Sequence, residues 1–104
     1  MSDTDILAIL KANLEIRNTI KDDYLAQLIT VSVSEIKREG ITLSDPYTLE
    51  DANLIAMYAA YLYRKRATNE EQYQTVSFGM NGMPRMLRYA LNQRLMSQKM
   101  GGQS

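Results

Sequence analysis

Apolar stripes with a helical period recur four times along the chain. In "TDILAILKANLEI", Ile6, Ile9, Leu10 and Leu14 share a face, with Ser2 or Thr4 as the candidate cap. In "DDYLAQLITVSVSEIKREG", Leu25, Leu28, Ile29, Val33 and Ile36 do the same. Asp22 or Asp23 suits the first turn of that helix and Lys37 and Arg38 its last, and Gly40 suits the left-handed position beyond it. "RNTIK" is a polar break, and Asp45-Pro46 marks a turn. A third helix is predicted from Leu49 to about Ala67, opened by "TLED", a capping box with the shorter Asp in place of Glu. A fourth opens at Pro84, a favoured first helical position. It carries Leu87, Ala90, Leu91 and Leu95 on one face and ends at Gly101-Gly102.

Two stretches break the pattern. "ANLIAMYAAYLY" is apolar nearly all round, so its helix must be covered on more than one side. It is the central helix of a domain, or it turns one side to a neighbouring subunit. Ala56, Ala59 and Ala60 let another backbone approach. Tyr58, Tyr61 and Tyr63 offer apolar area with a polar tip, a composition of core edges and of interfaces alike. Residues 68–83, "TNEEQYQTVSFGMNGM", form a loop longer than the usual helix–helix connection of roughly 2–8 residues. "QTVSF" alternates weakly, as a short strand would, and Asn81-Gly82 is a turn dipeptide. Gly79 to Gly82 reads as a hinge, and loops this long are more often functional or disordered than idle.

The expected architecture is therefore all-α: one small domain over residues 1–104, a bundle of about four helices with a long loop before the last. Charge changes the picture little in total, with twelve basic and twelve acidic residues. Its distribution is uneven. Residues 1–50 hold five basic and nine acidic residues, and residues 51–104 hold seven and three. Such a dipole along the sequence matters where copies meet head to tail. The N-terminus lacks the basic region of a signal peptide, and the longest apolar run, "LIAMYAAYLY", is too short to span a bilayer. A cytosolic protein is expected.

Histidine and cysteine are absent. This removes disulfides, thiolate metal sites, thiol catalysis and the commonest general base, so the expectation is a non-enzyme with no cofactor and no metal. Asp22/Asp23, Glu50/Asp51 and Glu70/Glu71 are adjacent pairs at helix starts or in the loop. They diverge by about 100° on a helix and read as caps and solvated charges. "GMNGM" lacks the Lys and the Ser/Thr of a phosphate loop. Arg64, Lys65 and Arg66 complement the dipole at the end of the third helix, or contact phosphate. Arg85, Arg88 and Asn92 form a polar stripe away from Leu87 and Leu91, either solvated or at an interface. Met80, Met83 and Met86, three of seven methionines, cluster at the loop–helix junction and tilt that reading towards protein contact.

"LKANLEI", "LITVSVSEIKREGITL", "LEDANLIAMYAAYLYRKR" and "MPRMLRYALNQRL" occur in order along almost the whole chain. The ordered set resembles the head-tail connector (adaptor) family of tailed bacteriophages, also labelled phage DNA-packaging proteins. The resemblance implies a small helical subunit of a ring of about a dozen copies under the portal vertex. Such a ring extends the DNA channel, lets DNA pass without reading its sequence, and presents a surface to the next head-completion or tail protein. It implies the host cytoplasm during assembly and then the virion, at the head-tail junction. It carries over no catalytic residue. The family's interfaces involve the segments that correspond to residues 49–67, 68–83 and 84–100. The candidate interface residues are Tyr58, Tyr61, Phe78, Met80, Met83, Arg85, Met86, Arg88 and Asn92. The alternative is a small helical nucleic-acid-binding module using Arg64, Lys65, Arg66, Arg85 and Arg88.

Overall fold

The structure, a computed structural model, describes residues 2–71 and 84–102, with side chains described for 2–66 and 84–99. It is an all-α bundle of four helices: α1 (Asp3–Leu14), α2 (Asp22–Arg38), α3 (Leu49–Glu71) and α4 (Arg85–Gly102). α3 packs against all three others, and α1 and α2 also touch each other. No helix among the described residues is long and apolar enough to cross a membrane.

The ends of the helices follow local chemistry. Ser2 caps α1 in a reciprocal box with Asp5: the Asp5 N–H donates to Ser2 Oγ and the Ser2 N–H to Asp5 Oδ2. The Ser2 N–H, and after it the Ser2 hydroxyl at 3.2 Å, donate to the Asp5 carboxylate and hold it below the usual range. α1 stops where Glu15 turns left-handed at φ 60°, with Glu15 N–H to the Ala12 carbonyl and Ile16 N–H to the Lys11 carbonyl. α2 ends in the same motif with the residue that fits it. Gly40 takes φ +102°, its N–H reaches the Lys37 carbonyl, and the Ile41 N–H reaches the Ile36 carbonyl. Ile36 and Ile41 are both buried, the apolar contact that accompanies this cap. The start of α2 differs from expectation. Lys21 takes the cap position, but its side chain makes no capping bond and its Nζ donates to the Tyr63 hydroxyl at 2.8 Å, while Asp22 pairs with Lys11 of α1 at 2.8 Å.

The apolar surplus of α3 is absorbed within the chain. Ala52, Ile55, Ala56, Ala59 and Ala60 are buried, and the small alanines allow close contact with the neighbouring helices. Ile6 and Leu10 of α1, Leu25, Ile29 and Ile36 of α2, Ile41 after it, and Leu87 and Leu91 of α4 join them in the core. Each of these large side chains gives roughly 1.5–3 kcal/mol on leaving water. α3 runs a turn beyond its expected end, so residues 68–71 are helix rather than loop. The expected strand "QTVSF" and the hinge from Gly79 to Gly82 lie outside the described residues. Pro84 is not the first residue of α4 but the one before it, and its carbonyl accepts from the Arg88 N–H at 3.0 Å.

Candidate protein-docking surface

α4 has two faces of different chemistry. Among the described residues the inner face buries only Leu87 and Leu91, with Ala90 and Leu95 packed at its margin. Polar bonds supply the rest of the attachment. Arg88 forks onto Glu39, with Nη1 to Oε1 at 3.3 Å and Nη2 to Oε2 at 3.4 Å. Gln98 pairs with the backbone of Thr42, accepting from its N–H at 2.8 Å and donating to its carbonyl at 2.6 Å. Arg94 donates to Asp51 Oδ1 and lies 3.6 Å from Glu50.

Asp51 is the centre of this attachment. Its N–H donates to Thr48 Oγ1 at 3.1 Å, and its Oδ2 accepts from the Thr48 N–H at 3.1 Å, so the "TLED" box forms with its shorter acid. The shorter side chain also leaves its oxygens free to accept from the Ser44 N–H at 3.0 Å and from Arg94. One carboxylate thus caps α3, closes the 44–48 turn, which contains a cis Asp45-Pro46 bond, and anchors α4. Burial pushes its pKa up, but the bonds from Arg94, Thr48 and Ser44 outweigh burial and hold it below the usual value.

The outer face of α4 exposes apolar side chains among polar ones. Met86, Tyr89 and Met96 are 76%, 66% and 58% exposed. Beside them a groove of about 370 Å³ opens between α3 and α4, lined by Leu54 and Met57 on one side and Ala90, Gln93 and Ser97 on the other, with Glu50 also on its wall. Exposed methionine and tyrosine are suited to contact with another protein's side chains. Among the described residues no cluster of three or more acidic side chains could hold a metal ion.

The expected interface residues divide. Arg85, Met86 and Asn92 are exposed on α4. Arg88 is turned inward onto Glu39, so the stripe Arg85–Arg88–Asn92 does not stand as one outer row. The exposed row is instead Arg85, Asn92 and Lys99. Tyr58 is only 6% exposed; its ring meets Tyr61 edge-on at 5.9 Å, and in this chain it offers no face to a partner. Burial, then the carboxylates Glu35 and Glu39, push its phenol up. Tyr61 is half-buried under Lys65, whose Nζ is 5.6 Å from the ring centroid. Phe78, Met80 and Met83 lie outside the described residues.

The cations of the alternative reading also divide. Arg64, Lys65 and Arg66 are exposed at one end of the bundle. Arg64 donates to Asn13 Oδ1 at 3.3 Å, and Arg66 lies over the Tyr24 ring. Arg88 has its charge met by Glu39, which lessens what it could offer a phosphate.

Tyr89, Met96, Leu54 and Met57 were not singled out from the sequence. The signal was present: Met86, Tyr89, Gln93 and Met96 repeat at 3-4-3 spacing, within about 80° of arc and opposite Leu91. The pair of Asp51 and Arg94 joins residues of different helices and left no local signal. The chain matches no protein-family model, no curated protein and no solved structure.

Proposed function

We propose that this chain is a structural subunit of a phage or prophage head-tail connector ring, working without catalysis or cofactor. It docks under the portal, extends the DNA channel and presents a surface to the next head-completion or tail protein. It acts in the host cytoplasm during assembly and then in the virion. The observation that carries this reading is the ordered resemblance of four segments along almost the whole chain. The all-α fold supports it, as do the apolar side chains exposed on α4, where a subunit that works by protein contact would keep them. The test is native mass spectrometry and negative-stain microscopy of the chain alone and with the portal protein of its phage. Rings are expected at raised concentration or on the portal. A strict monomer that also ignores the portal refutes the reading.

A second reading, a nucleic-acid-binding module, draws on Arg64, Lys65 and Arg66, exposed together at one end. It requires a duplex gel shift at low salt that weakens steeply as salt rises. No shift at low salt disposes of it.

A further inference from the structure

α4 is held to the chain differently from the other helices. α1, α2 and α3 each pack on the other two, whereas α4 packs chiefly on α3, and less closely than α1 or α2 does. Among its described residues only Leu87 and Leu91 are buried, while α1, α2 and α3 supply Ile6, Leu10, Leu25, Ile29, Ile55 and Ala59 to a core of their own. The polar bonds described above all end in one stretch, from the cap of α2 to the first turn of α3. Arg88 bonds to Glu39, Gln98 to the backbone of Thr42, and Arg94 to Asp51, with Glu50 beside it. Leu95 reaches the same stretch next to Gly40.

Most local bonds of that stretch do not run through α4. The Gly40 and Ile41 N–H groups bond to carbonyls of α2. Asp51 divides its oxygens: Oδ1 accepts from Arg94, and Oδ2 accepts from the Ser44 and Thr48 N–H groups. Losing Arg94 therefore leaves the cap of α3 and the 44–48 turn intact. The exception is Thr42, whose N–H and carbonyl both have their partner on α4.

We propose that α4 is a strap that unclips as one unit while α1, α2 and α3 stay folded, and that the opened chain presents Leu87 and Leu91, which the closed chain buries. A helix held by two leucines and a few polar anchors leaves its site at lower cost than the whole core comes apart, the condition for opening in separate units. Opening strands little charge: Arg88 and Arg94 pass into water, and Asp51 keeps two donors. The strap is a property of the fold and stands whether or not the chain forms rings.

The test is native-state amide hydrogen exchange of the full chain, labelled with 15N, in low concentrations of urea. The Leu91 and Leu95 amides are expected to share one protection factor, at least about tenfold below that of Ile29 and Ile55, with an intermediate urea dependence. The Thr42 amide should open with them, and its neighbour Ile41 should stay with the slower class, since its bond is to α2. Ile29→Val separates strap opening from global unfolding. It should lower the protection of the core amides roughly two- to tenfold and leave Leu91, Leu95 and Thr42 unchanged. An equal fall at Leu91 and Leu95 means that α4 opens only with the whole fold, and overturns the proposal. Protection that declines residue by residue towards the end of α4, with no urea dependence, is fraying, and overturns it too. A Thr42 amide that stays with the core class also overturns it.

Discussion

Asp51→Asn is the most informative single change. The parent carboxylate is 0% exposed and accepts from two backbone N–H groups and from Arg94. Asparagine keeps the volume and one acceptor oxygen. It loses the charge and turns an amide NH₂ towards groups that are themselves donors. Breaking a buried ion pair costs about 3–5 kcal/mol, because the surviving charge is stranded. Two features lower that figure here. Arg94 keeps Glu50 at 3.6 Å, although Glu50 is exposed and a weak substitute. Ser44 and Thr48 are exposed residues, so water can reach their N–H groups. A loss of about 2–4 kcal/mol follows, against a total stability of about 5–15 kcal/mol for a domain of ordinary stability. In a chain of this length the melting temperature should fall by about 10–25 °C.

Urea denaturation followed by circular dichroism reads the loss directly. Adding Arg94→Gln should return part of it, with a coupling of about 1–3 kcal/mol in the double-mutant cycle. The pH dependence gives an independent check. The folded pKa of Asp51 lies below its ordinary value of 3.8, so the unfolded chain binds the proton first as pH falls. The stabilisation from this group is complete above that value and is lost as pH drops through the folded pKa. The gap between parent and Asp51→Asn should therefore hold steady above about pH 5 and narrow below about pH 4. A variant within about 0.5 kcal/mol of the parent at neutral pH would refute the central role given to Asp51. A gap that narrows near neutrality would refute its electrostatic account.

Four further changes test the packing and the caps. Ala59→Leu adds bulk at a fully buried site on α3 and should cost about 1–3 kcal/mol; an unchanged melting temperature would mean the site is open. Glu15→Gly should raise stability by about 0.5–1 kcal/mol in urea titration, because Glu15 holds φ 60° at the end of α1. Gly40→Ala should lower it by about 1–2 kcal/mol, since a Cβ there meets only Leu95 at an ordinary 3.5 Å and the cost is the φ of +102°. Arg88→Ala should cost under about 1 kcal/mol at neutral pH, less in high salt, because its pair with Glu39 is partly exposed.

What was legible in the sequence was what local spacing and local chemistry decide. The core faces of α1 and α2, the Gly40 cap, the "TLED" box and the central place of α3 are all written in neighbouring residues. What was not legible depends on which helices meet. Asp22 looks like a first-turn acid, but Lys11 claims it from α1. Arg88 looks like part of an outer stripe, but Glu39 at the end of α2 turns it inward. Glu15 carries no residue-type signal for a left-handed turn, so the end of α1 showed only as a polar break. Tyr58 shares its composition between core edge and interface, and packing beside Glu39 and Tyr61 places it in the core.

These placements move the argument for protein contact from one helix to another. The apolar girth of α3 suggested a side turned to a neighbouring subunit, yet α1, α2 and α4 cover Ile55, Ala56, Ala59 and Ala60 within a single chain. That feature no longer requires a partner. α4 is the opposite case. Among its described residues it buries only Leu87 and Leu91 fully, so packing alone anchors it weakly, and its position depends on Arg88, Arg94 and Gln98. Using polar side chains for the inward attachment leaves Met86, Tyr89 and Met96 free to face out. A helix needed only for the fold would gain more stability by turning such residues inward. Their outward display is a cost in solubility that a binding role would offset. Mutating the inner polar bonds should therefore affect stability first, and mutating the outer apolar residues should affect association first.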